Sequence, residues 1–229
     1  MTAELVWAVV AAAGDGRRLG QERPKAFAKL GGRPLLAHAV ELFEAHPRVE
    51  RVVVVVPEGW EEPTALLADE LAAGKVAAAV PGGATRALSV AAGLAEVSDS
   101  ATAVLVHDAA RPLTPTDVVL RVLAALQAGA PAVVPVLPVV DTTVVVDDDG
   151  LIRDAVAREP LRRVQTPQGF DLAALRAAYA DLPEDADLTD DAAVMRAAGV
   201  PVSTVPGDDR SAKITVPHDL ELAELLLGR

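Results

Sequence analysis

Residues 5–20 read LVWAVVAAAGDGRRLG, an apolar run that passes without a break into a loop rich in glycine and arginine. The run Leu5–Val10 carries no charged side chain on either face, which is typical of a parallel strand covered by helices on both sides. The glycines that follow let the backbone approach an anion closely. This order of segments favours a doubly wound α/β fold that binds a nucleotide at the carboxyl edge of its sheet.

The remaining chain alternates short apolar runs with longer amphipathic segments, as expected for βαβ units with right-handed crossovers. Strands are predicted at Leu5–Val10, Val52–Val56, Val76–Val80, Val104–Val106, Ala132–Val136 and Pro201–Val205. Helices are predicted at Pro34–Glu44, Thr64–Ala73, Ala84–Glu96, Pro115–Gln127, Leu172–Ala180, Asp191–Ala198 and Asp219–Leu227. Residues 1–229 contain no repeat or linker, and we predict a single α/β domain with a doubly wound, mostly parallel sheet.

One region departs from this alternation. Thr142–Val146 and Leu151–Val156 flank the turn Asp147-Asp148-Asp149-Gly150, a pattern that predicts an inserted β-hairpin. We refer to residues 139–158 as the hairpin arm. From the pattern alone, an arm that packs on a partner subunit and a surface hairpin that closes on its own sheet fit equally well.

The composition excludes several classes of protein. The 229 residues hold no cysteine, which removes disulfide scaffolds, thiolate metal sites and cysteine nucleophiles. Acidic residues outnumber basic ones by 33 to 21, and this net charge of −12 argues against a nucleic-acid partner. No apolar stretch reaches the roughly 20 residues that span a bilayer, and the first residues lack the basic start of a signal peptide. We therefore expect a cytoplasmic protein that binds neither nucleic acid nor membrane.

The loop after the first strand reverses the overall charge. Residues 14–33 contain six basic side chains and two acidic ones, so this window carries +4 in a chain of −12. Six clustered cations beside glycines favour a phosphate site over a loop that is merely solvated. The dinucleotide pattern G-x-G-x-x-G does not fit, because Leu19 stands at its third glycine and no ribose-binding acid occurs between Arg33 and Val40. No G-K-[S/T] of a Walker loop occurs either, so the loop predicts a triphosphate pocket of another type.

Two further strand ends carry candidate nucleotide contacts. Pro81–Arg86 opens the helix that carries Ser89, and its two glycines leave room for a flat base, although an ordinary strand–helix turn fits as well. Asp108 ends the strand Val104–Val106 and suits a ribose hydroxyl or Mg²⁺, and a cap for the following turn is an equally good interpretation. We interpret His107 as a hydrogen-bonded structural residue rather than as a base.

Cationic side chains recur late in the chain. Arg158, Arg162 and Arg163 precede Thr166, and Lys213 follows the last predicted strand. Each of them alone is interpreted as surface charge. They gain significance only where the fold brings them to the rim of the sheet that carries the first loop.

Taken together, these segments resemble the 2-C-methyl-D-erythritol 4-phosphate cytidylyltransferase family of the non-mevalonate isoprenoid pathway. The first loop alone is typical of many sugar nucleotidyltransferases, whereas HDAARP at 107–112 and QTPQ at 165–168 are much more specific. The resemblance runs from the first strand to the last helix. The matching segments are Ala12-Ala13-Gly14 with Gly16 and Arg18, Pro24-Lys25, Pro81-Gly82-Gly83, His107–Pro112, Gln165–Gln168, Thr189–Ala192 and Lys213–Thr215.

The resemblance implies a Rossmann-like nucleotidyltransferase sheet. It also implies the transfer of a cytidylyl group from CTP to 2-C-methyl-D-erythritol 4-phosphate, a polyol phosphate, with Mg²⁺ as cofactor and pyrophosphate as the second product. The family forms homodimers, so the resemblance further implies a hairpin arm that reaches into the partner's site.

The same resemblance implies roles for single residues. Arg18 and Lys25 match residues that stabilise the transition state at the α-phosphate, and Arg158 and Lys213 match those that position the attacking phosphate. Asp108 matches the ribose or metal neighbourhood, with Mg²⁺ held mainly by the CTP phosphates. Nucleotide contacts are implied for Ala13, Gly14, Gly16, Gly82, Gly83, Ser89 and Asp108. Contacts with the sugar-alcohol phosphate are implied for Arg111, Thr142 and Thr166.

Three other functions stay open on the sequence. A cytidylyltransferase that acts on ribitol 5-phosphate shares the same loop and sheet. A nucleotide-binding regulator without turnover would keep the first loop but would have no need for both Arg158 and Lys213. A nicotinamide-dependent dehydrogenase is disfavoured by the glycine spacing.

Overall fold

The computed structural model describes residues 5–14, 16, 19, 23–183 and 188–228, where every strand and helix predicted above is present with bounds that differ by at most three residues. The strands are β1 (Val6–Ala11), β2 (Lys29–Leu30), β3 (Arg33–Pro34), β4 (Val49–Val56), β5 (Val76–Pro81), β6 (Ala103–Asp108), β7 (Ala132–Pro138), β8 (Thr143–Val146), β9 (Ile152–Val156), β10 (Arg162–Val164), β11 (Gln168–Asp171) and β12 (Ser203–Pro206). The helices are α1 (Leu35–Glu44), α2 (Glu61–Glu70), α3 (Arg86–Ala95), α4 (Thr116–Gln127), α5 (Leu172–Ala180), α6 (Asp191–Ala197) and α7 (Pro217–Leu227).

The central sheet has eight strands and is mostly parallel, as the apolar runs predict. Its order is β10-β7-β11-β6-β1-β4-β5, and β12 pairs in parallel with β7. β1 pairs in parallel with β4 and β6, and β4 pairs in parallel with β5. β10 and β11 run antiparallel to their neighbours and were not predicted from the sequence. Because β11 lies between β6 and β7 and runs antiparallel to both, it starts at the edge of the sheet where the parallel strands end.

Helices cover both faces of this sheet, which is why its strands are continuously apolar. On β1, Ala8 and Val10 belong to a core that includes Phe43 of α1, whereas Val9 belongs to a second core that includes Val90 of α3. Alternate residues of one strand thus enter opposite cores. In the described part of the chain, none of the helices combines the length and the apolar character that crossing a membrane requires.

The predicted hairpin is confirmed as a separate two-stranded antiparallel sheet formed by β8 and β9. Its turn is held by Asp147, whose Oδ1 accepts from the backbone N–H groups of Asp149 and Leu151. Val146 is 55% exposed and Ile152 is 68% exposed. The hairpin therefore does not join the central sheet of its own chain, and it presents apolar side chains to the outside.

Candidate active site

A cavity of about 660 Å³ lies at the carboxyl edge of the sheet, where β1, β5 and β6 end. Its walls come from the loops after these three strands and from the segment before α7. Of the residues singled out from the sequence, those that line it are Ala13, Gly14, Gly16, Lys25, Gly83, Ser89, Asp108 and Lys213. The other described lining residues are Ala11, Ala12, Ala26, Ala84, Thr85, Arg86, Ala109, Ala110 and Thr215.

Gly16 shapes the loop that follows β1. Its φ of +71° lies in the left-handed region, and a Cβ at this position would come within 2.9 Å of the Lys25 backbone nitrogen. The Lys25 N–H donates to the Gly14 carbonyl at 3.3 Å. This close approach places Lys25 on the cavity wall beside the glycines. Arg18 lies outside the described residues, and its role at the α-phosphate stays a prediction.

The segment after β5 forms a tight corner of the cavity. Gly82 has no space for a side chain, because a Cβ would lie 2.5 Å from the Ala13 Cβ and 2.7 Å from the Ser89 Oγ. The buried Ser89 hydroxyl accepts from the Gly83 N–H at 3.1 Å and donates to the Thr85 carbonyl at 2.9 Å. Ser89 thus fixes the loop backbone, and Gly82 lies directly behind the lining residues.

Asp108, at the end of β6, is the electrostatic centre of the cavity. Its Oδ2 lies 2.8 Å from Lys213 Nζ and 3.7 Å from Arg111 Nε. Its Oδ1 lies 3.5 Å from Arg86 Nη2. Burial favours the neutral acid, but these three cations together hold the pKa of the Asp108 carboxyl well below its ordinary value. The described cavity lining contains three cationic side chains, Lys25, Arg86 and Lys213, and one carboxylate, that of Asp108.

Arg86 and Asp191 form an ion pair that the sequence pattern does not predict. Arg86 Nη2 lies 2.7 Å from Asp191 Oδ2, and Asp191 is fully buried in the first turn of α6. A positive charge in the first turn of a helix interacts unfavourably with the helix dipole, and an acidic partner offsets this effect. The position of Arg86 at the start of α3 was the signal available in the sequence.

Thr166 and His107 lie beneath Asp108 and not on the cavity wall. The Asp108 N–H donates to Thr166 Oγ1 at 3.1 Å, and the same oxygen lies 2.9 Å from His107 Nδ1. Burial lowers the pKa of His107 to about 4, so its ring is neutral near pH 7. His107 is thus a hydrogen-bonded structural residue, as the sequence indicates, and Thr166 fixes the end of β6. The predicted contact of Thr166 with substrate stays a prediction.

Three more residues predicted to meet the substrate are not among the described lining residues, although Arg111 contacts Asp108. Arg111 donates to the Ser211 carbonyl at 2.7 Å and so ties the end of β6 to the segment before α7. Thr142 and Arg158 lie on the hairpin arm, where Arg158 Nη1 donates to the Val140 carbonyl at 2.6 Å. The substrate contacts of these three residues stay predictions.

The described residues do not form a metal cage of their own. Asp108 is the one acidic residue among the described lining residues, and both of its oxygens lie close to cations. No group of three or more His, Asp or Glu side chains suited to a metal occurs in the described ranges. Mg²⁺ requires six oxygen ligands and is commonly held by one or two carboxylates together with substrate phosphates. The described lining residues would give such an ion at most one carboxylate ligand, Asp108, and a phosphate ligand would have to supply most of its coordination.

Several known proteins with similar sequences carry the name of one enzyme family. The family model described as 2-C-methyl-D-erythritol 4-phosphate cytidylyltransferase matches residues 6–229. A protein of that name from Nocardia farcinica is 49% identical over 224 residues, which cover 98% of this chain and 94% of the relative. Another, from Frankia casuarinae, is 48% identical over 224 residues, which cover 98% of this chain and 82% of the relative.

Solved structures resemble the fold over nearly its whole length. The 2-C-methyl-D-erythritol 4-phosphate cytidylyltransferase of Thermus thermophilus superposes with a TM-score of 0.80 at 40% identity, covering 96% of this chain and 98% of the other. The 4-diphosphocytidyl-2C-methyl-D-erythritol synthase of Anaerococcus prevotii superposes with a TM-score of 0.86 at 26% identity, covering 99% and 100%. The nucleotidyltransferase fold class predicted from the sequence is thus confirmed.

Proposed function

Because the chain belongs to the 2-C-methyl-D-erythritol 4-phosphate cytidylyltransferase family, we propose that its cavity binds CTP and the sugar phosphate side by side. The enzyme transfers the cytidylyl group of CTP to 2-C-methyl-D-erythritol 4-phosphate. A phosphate oxygen of the acceptor forms a bond to the α-phosphorus of CTP. The bond between the α-phosphorus and the oxygen that bridges it to the β-phosphate breaks. The products are 4-diphosphocytidyl-2-C-methyl-D-erythritol and pyrophosphate. One observation supports this use of the cavity above all: Lys25, Lys213 and the glycine loops face the same space.

The reaction needs positive charge rather than a nucleophilic side chain. Both substrates are anions, and the acceptor phosphate is itself the nucleophile, so positioning and electrostatic stabilisation supply most of the catalysis. In this proposal Arg18 and Lys25 neutralise the charge that grows on the α-phosphoryl oxygens and the leaving pyrophosphate. Lys213 and Arg158 hold the acceptor phosphate in line with the bond that breaks.

The corner formed by Gly82, Gly83 and Ser89 receives the cytosine ring in this proposal. The ring is flat, and the Ser89 hydroxyl already holds the loop backbone in place, so backbone groups present fixed hydrogen-bonding positions. The ribose then lies toward Asp108. The N–H groups of Gly14 and Gly16 face the phosphates, as expected for a glycine-rich loop after a first strand.

A comparison of alternative substrates tests the assigned reaction. We expect pyrophosphate release with CTP and 2-C-methyl-D-erythritol 4-phosphate, and much slower release with ribitol 5-phosphate or when ATP replaces CTP. The measurement is a coupled phosphate assay that compares kcat/KM for each pair of substrates. A higher kcat/KM with ribitol 5-phosphate contradicts the assigned acceptor. CTP binding without turnover contradicts the assignment of catalytic activity.

We propose that Mg²⁺ enters with the triphosphate, with Asp108 as the nearest described protein carboxylate. When bound, the ion neutralises phosphate charge and polarises the phosphoryl oxygens. Excess EDTA is expected to lower pyrophosphate release by more than about 100-fold, and added Mg²⁺ is expected to restore it. Circular dichroism should not change on chelation, because in this proposal the ion binds together with the triphosphate. Full turnover in EDTA contradicts the proposal.

We propose that the enzyme acts in the cytoplasm as a homodimer joined through the hairpin arm. The exposed apolar side chains of Val146 and Ile152 favour burial against a partner. Thr142 and Arg158 lie on the same arm and do not line the described cavity of their own chain. In this proposal Thr142 and Arg158 therefore contact the substrate that is bound in the cavity of the partner subunit.

Mixed dimers test this arrangement. R158A and K213A homodimers each lack one predicted phosphate contact in both sites. In a mixed dimer, one site receives both native residues, so reassortment of equal amounts is expected to recover about a quarter of wild-type activity. Sedimentation shows whether the dimers exist and exchange. If Arg158 instead contacts the substrate in the cavity of its own chain, mixing the two variants recovers no activity, which contradicts the proposal.

A further inference from the structure

A second buried carboxylate lies behind the cavity. Asp191 is fully buried, and its Oδ1 accepts from the Tyr179 hydroxyl at 2.6 Å while its Oδ2 lies 2.7 Å from Arg86 Nη2. Asp191 is also in the first turn of α6, where the helix dipole stabilises a negative charge. It is not among the described lining residues, but its partner Arg86 is, so Arg86 connects Asp191 to the cavity.

Arg86 is shared unequally between two carboxylates. The same atom, Nη2, lies 2.7 Å from Asp191 and 3.5 Å from Asp108. Burial alone would lower the pKa of Arg86, but these two carboxylates raise it above its ordinary value, so the guanidinium stays charged. Lys213 Nζ, at 2.8 Å, is the nearest described cation to Asp108.

We propose that Asp191 is a positioning residue for the transfer reaction. It draws the Arg86 guanidinium away from Asp108, and Asp108 is thereby left to hold Lys213 in the cavity. The proposal rests on the role proposed above for Lys213 as the cation that receives the acceptor phosphate.

The two cations compete for Asp108 on unequal terms. A forked guanidinium pairs with a carboxylate through two parallel N–H bonds, whereas a lysine offers a compact point charge. Arg86 lies beside Oδ1 of Asp108 and Lys213 lies beside Oδ2. Without the charge of Asp191, Arg86 closes the gap to Oδ1, forms the paired bonds to both oxygens and displaces Lys213 from Oδ2. The Lys213 side chain is 41% exposed and has room to turn into solvent, so the acceptor phosphate loses its cation.

The direct test is D191N, which removes the charge and keeps the shape of the side chain. We expect its KM for 2-C-methyl-D-erythritol 4-phosphate to rise about tenfold and its turnover number to fall, while its KM for CTP changes less than about twofold. Y179F is the matched control, because it removes a hydrogen bond from the same carboxylate and leaves the charge. Both variants are expected to melt earlier than the wild type, but Y179F should keep the wild-type KM within about twofold.

The Lys213→Ala background shows whether Lys213 carries the effect. In that background D191N is expected to change acceptor binding by less than about twofold, since the group through which it acts is gone. Calorimetric titration with the acceptor gives this value even where turnover is slow. An equal loss of binding in both backgrounds overturns the proposal, and so does a D191N variant that melts earlier but keeps the wild-type KM.

If the D191N variant does not fold, the double variant D191N/R86M tests the proposal instead. It removes both charges of a buried pair, and neutral replacement of such a pair is often tolerated. With the competitor gone, KM for the acceptor should lie within about threefold of the wild type. A larger rise shows that Arg86 has a role of its own and overturns the proposal. Wild-type turnover with the same acceptor tests the proposed function separately.

Discussion

Replacing Lys213 with alanine is expected to lower the turnover number by about two to three orders of magnitude, the typical cost of removing one preorganised group that stabilises transition-state charge. Lys213 is anchored by Asp108 at 2.8 Å, yet its side chain is 41% exposed toward the cavity and solvent. A cation held in this way before the reaction needs no reorganisation when the acceptor phosphate arrives. Its loss therefore raises the barrier instead of merely weakening the fold.

The matched control for this variant is R210A. It also removes one cation from the segment between β12 and α7, but Arg210 pairs with Asp208 and does not line the cavity. We expect R210A to keep turnover within about threefold of the wild type. Pyrophosphate release at saturating CTP and acceptor measures both variants, with thermal unfolding as a check on the fold. A folded K213A variant with near-wild-type turnover contradicts the assigned role.

The parallel part of the fold was predictable because two-sided burial leaves a direct trace in the sequence. In β4, Val52 and Val54 enter one core while Val53 and Val55 enter the other, so the strand reads as an unbroken valine run. Gln168–Asp171, which forms β11, leaves no such trace. It has four residues and begins with a polar one, and its buried state comes from pairing with β6 and β7 on either side.

In the site too, the features that follow from the parallel strands were predictable, whereas those that depend on the packing of distant segments were not. The loops after β1, β5 and β6 could be placed together because carboxyl ends of parallel strands meet at one edge. The hydrogen bond from the Asp108 N–H to Thr166 depends on the insertion of β11, which the sequence pattern does not show. Arg86 and Asp191 are 105 residues apart, and only the packing of the folded chain brings them together.

Replacing Asp108 with asparagine is expected to lower the free energy of unfolding by about 3–5 kcal/mol, the usual cost of removing one partner from a buried ion pair. The Asp108 side chain is only 10% exposed and is the common partner of Lys213, Arg86 and Arg111. Without its charge, the three cations repel one another in a confined space. Urea denaturation at pH 7 measures this loss, and an unchanged midpoint contradicts the central role of Asp108.

The effect of D108N on stability depends on pH in a defined direction. The pKa of Asp108 in the folded protein lies below its ordinary value of 3.8. Its ionic contribution is therefore fully present above the unfolded pKa and is lost as the pH falls through the folded pKa. The difference in stability between wild type and D108N should stay constant near neutral pH and narrow below about pH 4. A difference that widens on acidification contradicts this assignment.

The double variant D108N/K213M separates the structural role of this ion pair from its catalytic role. Removing the charge of Lys213 relieves part of the repulsion that D108N creates, so we expect some of the lost stability to return. Turnover should stay low, because the cation that receives the acceptor phosphate is gone. Recovery of both stability and turnover would mean that Lys213 only balances Asp108 and that another group holds the acceptor. Recovered stability with low turnover would instead show that Asp108 holds in place a positive charge that the reaction requires.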